Sequence, residues 1–125
     1  MTPEEILEVD VKRNQPFGVK VGNLIAQIND HLRNGGNLVC DGNVLIVYSA
    51  KEPGNIEYHT FNADTPENLY KAVRKFMLML KKAGAETAFT TYENEKINKL
   101  FELGKKEFDI DITKNDGVFT SVVRL

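Results

Sequence analysis

The chain has 125 residues, 42% of them hydrophobic, and a formal net charge of −2 at neutral pH. That is enough for one domain with a single core, and it excludes disorder of the chain as a whole. The slight negative balance excludes a protein that grips phosphate backbones over a broad surface, and no apolar run reaches the roughly 18 residues of a membrane span.

Thr2-Pro3-Glu4-Glu5 reads as a helix start: a capping threonine, then proline, then carboxylates near the positive end of the dipole. Val9 to Val11 reads as a short strand. MTPEEILEVD lacks the charged-then-apolar pattern of a secretory signal, and Cys40 is the only cysteine, so no internal disulfide can form and the expected compartment is the cytoplasm. From Phe17 to Leu32 the apolar positions Val21, Leu24, Ile25, Ile28 and Leu32 fall on one helical face, which Asn34-Gly35-Gly36 ends.

Residues 37–62 read as three antiparallel strands. Asp41-Gly42 marks the first hairpin and Pro53-Gly54 a type II turn into the strand from Ile56 to Phe61. A long amphipathic helix follows directly. Thr65 supplies the cap, Pro66 takes the first helical position, and Leu69, Val73, Phe76 and Leu80 form a stripe widened by Ala72, Met77 and Met79. Gly84 stops it. Ala85 to Tyr92 is a further strand, Asn94 to Gly104 a second amphipathic helix with Ile97, Leu100, Phe101 and Leu103, and Phe108 to Thr113 a half-exposed strand. Asn115-Asp116-Gly117 turns into a last strand, Val118 to Leu125. The strand–helix–strand passage has short connections, which implies parallel pairing by a right-handed crossover. The expectation is one α+β domain over residues 1–125, with a mixed, mainly antiparallel sheet flanked by helices on both faces.

This order of elements resembles the GCN5-related N-acetyltransferases (the GNAT superfamily) from about residue 17 onward. Within NEKINKLFELG, Asn94, Ile97, Leu100 and Phe101 are in step with that family's N-x-x-A-x-x-L-Y-x-K-x-G-F region, and Gly104 comes one residue early. In layout, small size and missing motifs the chain is also similar to small GNAT-like proteins coded by tailed bacteriophages, some of them virion-associated. The resemblance implies acetyl-CoA as cofactor, and Asn62, Thr65, Asn68 and Asn94 as the residues that would meet it. No metal is expected: His31 and His59 are the only histidines, and no cysteine or carboxylate pattern offers metal-ligand spacing around them.

GNAT enzymes place a Gln/Arg-x-x-Gly-x-Gly/Ala loop between the central strand and the long helix, because glycines let backbone N–H groups approach the pyrophosphate. Here the junction is FNADTPENLYK, which has no glycine, loses one donor at Pro66, and puts the carboxylates of Asp64 and Glu67 where phosphate would sit. The family's usual acid, a tyrosine on the short helix, falls on Phe101, which has no proton to give; Tyr92 just before that helix is either a displaced substitute or an amphipathic rim residue at a strand end. Glu57 and His59 are two apart on the central strand and share one face, which makes them the candidate general base.

Two functional readings follow. One is a GNAT-like accessory protein with a degenerate acetyl-CoA site, working through a protein partner in a host cytoplasm or a virion, and compatible with homo-oligomers. The other is an active acetyl-CoA-dependent N-acyltransferase using Glu57 or His59 as base and Tyr92 as acid. The missing glycines and Phe101 weigh against catalysis more than Glu57 and His59 weigh for it. A membrane or nucleic-acid partner is not expected.

Overall fold

A computed structural model describes residues 1–14 and 20–125. The elements run α1 (Pro3–Asn14), α2 (Val21–Arg33), β1 (Asn37–Asp41), β2 (Val44–Glu52), β3 (Asn55–Asn62), α3 (Pro66–Lys82), β4 (Thr87–Tyr92), α4 (Lys96–Gly104), β5 (Asp109–Asn115) and β6 (Val118–Arg124). The six strands form a mixed α+β sheet in the order β1-β2-β3-β4-β6-β5. The predicted start of the second helix at Phe17 lies outside the described residues. The chain divides into two compact units, residues 1–49 with 60–72 and residues 50–59 with 73–125.

In the first unit, α1 opens on a reciprocal capping box. The Glu5 amide donates to Thr2 Oγ1 at 3.2 Å and the Thr2 amide donates to Glu5 Oε1 at 2.9 Å, which holds the Glu5 carboxyl below its ordinary range. The helix this nucleates runs through Val9–Val11, so the strand expected there does not form. Those valines continue a face begun by Ile6 and Leu7 and lack a turn signal, so helix propagation overrides β propensity. Ile6 and Leu7 are buried against Leu45, Val47 and Ala63, and half-buried Leu24, Ile25 and Ile28 of α2 pack on the same cluster. Leu32, expected on that face, is 40% exposed.

A Schellman arrangement ends α2: Gly36 N–H donates to the His31 carbonyl and Gly35 N–H to the Leu32 carbonyl, with Gly35 at φ 86°. A Cβ on Gly36 would stand 2.1 Å from His31 Nε2, so only glycine lets that ring reach the Tyr48 carbonyl, 3.0 Å away. The β1–β2 hairpin closes on Gly42-Asn43, with Asp41 opposite Val44 and Gly42 at φ 58°. Positive φ at the first central position alone fits a type II′ turn.

In the second unit, Gly54 at φ 80° follows Pro53, as a type II turn requires. The Gly54 carbonyl accepts the Glu86 and Thr87 amides, which fixes the start of β4 beside β3. The two strands are parallel, pairing Asn55 with Thr87, Ile56 with Ala88 and Glu57 with Phe89. Strand β4 then pairs antiparallel with β6, and β6 with β5, whose turn has Asp116 at φ 51° and Gly117 at φ 79°. Along α3, Leu69 and Ala72 of the first unit and Phe76, Met77 and Leu80 of the second are buried, but Met79, expected in the stripe, is 41% exposed. On α4, Phe101 is buried and Leu103 is 49% exposed, against the expectation that it faces the core. Both exposed residues sit at an edge of their stripe, where periodicity does not say which flank is covered.

Candidate functional site

In the first unit, three of the four residues predicted to meet a cofactor, Asn62, Thr65 and Asn68, lie at the start of α3, where they bond to one another or to Asp64, while Asn94 lies apart from them in the second unit. Thr65 Oγ1 accepts the Asn68 amide at 3.2 Å, which caps the helix as the sequence predicts. Asp64 Oδ1 accepts the Thr65 amide at 2.8 Å and Asn68 Nδ2 at 2.7 Å. The Asn68 carboxamide, then the Thr65 amide, hold the Asp64 carboxyl below its ordinary range. Asn62 closes the turn, with Oδ1 accepting the Asp64 amide and Nδ2 donating to the Asp64 carbonyl. The amides of residues 64, 65 and 68 are therefore all engaged by the chain's own side chains.

Two further residues at this junction come from α1. Arg13 Nη1 donates to the Asp64 carbonyl at 2.6 Å, and Asp10 Oδ1 accepts the Asn62 amide at 2.9 Å together with Asn14 Nδ2. Sequence reasoning missed both, since partners some fifty positions apart leave no local signal.

Burial pushes the Asp10 carboxyl up, against the Asn62 amide, the Asn14 carboxamide and the Arg13 charge, which act downward. A carboxyl whose folded pKa exceeds its unfolded value stabilises the fold in acid, and that contribution is lost as pH rises through the folded pKa. Asp10→Asn keeps an oxygen for the same two donors and never ionises. Its stability relative to the parent is expected to improve from pH 4 to pH 7, measured by urea unfolding at each pH. A gap that does not move with pH would contradict the burial of this carboxylate.

In the second unit, Glu57 and His59 do meet. Glu57 Oε1 lies 3.3 Å from His59 Nε2, and Lys51 Nζ stands 3.7 Å from the other carboxylate oxygen. The cluster is open: the His59 side chain is 46% exposed and that of Glu57 31%. Between them, Tyr58 points to the opposite, buried face, with its ring 5.5 Å from that of Phe76. Its hydroxyl has no hydrogen-bond partner among the described residues, and burial raises its pKa. Ser121 Oγ is buried and unpartnered in the same way.

Tyr92 shares the buried face with Tyr58, not the face of Glu57 and His59. In the β4–β6 register it lies opposite Phe119, while Phe89, paired with Glu57, has the other parity along β4. Its ring stacks between Phe101 and Phe119, with centroids 5.6 and 5.5 Å away, and its hydroxyl donates to Asn98 Oδ1 at 2.6 Å. Burial, then the nearby Glu102 charge, pushes its pKa up to about 12. Asn94 Oδ1 accepts the Lys96 amide at the start of α4. Asn98, which sequence reasoning did not single out, is what holds the tyrosine hydroxyl.

Cys40 is exposed on β1. Among the described residues no three His, Cys, Asp or Glu side chains come together as a metal-ligand group, and no helix is long and apolar enough to cross a membrane.

No family model matches the sequence, and no curated protein matches it. Solved structures do match. An acetyltransferase from Streptococcus agalactiae superposes with a TM-score of 0.64 at 15% identity, over 98% of this chain and 91% of that one. A GNAT superfamily phosphinothricin acetyltransferase from Sinorhizobium meliloti, in complex with AcCoA, gives 0.62 at 10% identity, over 99% and 84%. An acetyltransferase from Bacillus subtilis, in complex with CoA, gives 0.60 at 14% identity, over 100% and 94%. The chain has the fold of these acetyltransferases, the GNAT fold, across nearly its whole length.

Proposed function

We propose that this chain is a GNAT-fold protein that has lost the acetyl-CoA site and works through contacts with a protein partner. The observation that carries this reading is the Asp64 carboxylate on the Thr65 amide at 2.8 Å, at the helix start where the fold's enzymes hold pyrophosphate. A phosphate arriving there would meet a like charge and amides already bonded, with no glycine from Phe61 to Lys71 to open the backbone. The residues present do not fit the cofactor. Phe101 in place of the proton-donating tyrosine, and a Tyr92 hydroxyl already committed to Asn98, support the same reading. The absent glycine loop supports an accessory or virion-associated role of the kind taken by small phage-encoded GNAT-like proteins.

A second reading, acetyl transfer with Glu57 or His59 as base, is favoured by one contact, the 3.3 Å approach of Glu57 to His59. Thermal unfolding with acetyl-CoA, beside CoA and ADP controls, separates the two. A ligand at 100 times its Kd stabilises a fold by about 2.7 kcal/mol, or several degrees at roughly 4 °C per kcal/mol. No specific rise at millimolar acetyl-CoA is expected. A rise of that size would overturn the loss of the site and make Glu57→Gln/His59→Ala the next measurement.

A further inference from the structure

On the second unit, the start of α4 and the β5–β6 hairpin enclose an open groove of about 490 Å³ lined by Glu95, Lys96, Asn98, Lys99, Lys114 and Phe119. Three of the six are lysines in a chain whose net charge is −2, so the groove is a local reversal of the protein's charge. Its one carboxylate, Glu95, is taken up by Lys114 at 3.8 Å. Lys96 and Lys99 have no ion-pair partner among the described residues. The groove's polar donor is fixed as well. The Tyr92 hydroxyl donates to Asn98 Oδ1, which leaves the two N–H bonds of Asn98 Nδ2 to serve another acceptor. Lys114 also lies over the Phe119 ring, 5.1 Å from its centroid, so its ammonium is held above the groove floor.

We infer that this groove is the docking site for an acidic peptide segment of a protein partner, with Lys96, Lys99 and Lys114 meeting its carboxylates and Asn98 Nδ2 a backbone or side-chain oxygen. Glu95 on Lys114 is the same recognition made within the chain. Three lysines in one groove make too small a patch for a nucleic acid backbone to be tracked along it. This inference rests on the reading that the chain acts through protein contacts and names the chemistry of the partner.

The test measures fluorescence anisotropy of a labelled hexaglutamate peptide on the full chain, with a labelled dT6 oligonucleotide and a labelled hexaserine peptide alongside. Saturable hexaglutamate binding is expected, weakening as salt is raised from 50 to 300 mM. The Lys96→Glu/Lys99→Glu/Lys114→Glu variant is expected to bind about tenfold more weakly or worse, because it replaces each attraction by a repulsion. Lys96→Gln/Lys99→Gln, which leaves Lys114 on Phe119 and Glu95, should lose severalfold with an unchanged melting curve. A matched reversal at Lys81 and Lys82 of α3 should leave binding unchanged. No saturable binding of hexaglutamate, equal losses in the α3 control, or tighter binding of dT6 with the same lysine dependence would each overturn the inference. These outcomes are read independently of the acetyl-CoA melting experiment, so failure of the groove and failure of the non-catalytic reading cannot be confused.

Discussion

Alanine in place of Phe76 is expected to remove about 3–5 kcal/mol of folding stability, the range for a buried aromatic ring in a close-packed interior. Phe76 is 3% exposed, and its ring meets that of Tyr58 at 5.5 Å and 57°, a tilted pair that adds to simple burial. Tyr58→Phe should act in the opposite direction. It keeps the ring and the pair, and deletes a fully buried hydroxyl with no partner among the described residues, a group that costs about 1–3 kcal/mol of desolvation when left unmade. A gain of about 1 kcal/mol is expected. Urea unfolding of the two variants checks both signs in one experiment. A loss at Tyr58→Phe would mean that the hydroxyl has a bonding partner, such as an ordered water, and Phe76→Ala below 1 kcal/mol would mean that the ring is loosely packed.

The sequence made this core legible only in part, and Tyr58 shows where the limit lies. Alternation on β3 puts Glu57 and His59 on one face and Ile56 and Tyr58 on the other, but so short a run does not say which face is covered. Burial of Tyr58 against Phe76 answers it. Turns were the most legible features, because positive φ at Gly35, Gly42, Gly54, Gly84 and Gly117 is a demand on the backbone that few other residues meet. The valines of α1 were not legible, since their β propensity lost to a capping box four to nine residues upstream of them. At the candidate cofactor junction, the cap by Thr65 could be read from FNADTPENLYK alone. The reach of Asp10 and Arg13 into that junction could not, because it depends on how α1 is held by Ile6 and Leu7 in a cluster assembled from distant segments.

Tyr92 gives the second large effect, and it bears on function as well as stability. Removal of its ring by Tyr92→Ala is expected to cost about 3 kcal/mol, because the ring is the middle member of a stack between Phe101 and Phe119, both buried. Tyr92→Phe keeps the stack and forfeits only the hydroxyl's bond to Asn98, about 1 kcal/mol. The same bond should appear as coupling of about that size in a double-mutant cycle with Asn98→Ala, since the cycle cancels whatever each substitution does alone. A general acid must release its proton to a leaving group, yet this hydroxyl is held by Asn98 at 2.6 Å and its pKa is pushed up to about 12. Burial opposes the phenolate in a way that suits a strut between β4 and α4. Absence of coupling in the cycle, with Tyr92→Phe as stable as the parent, would remove that structural role and return the hydroxyl to the list of groups free to act on a substrate.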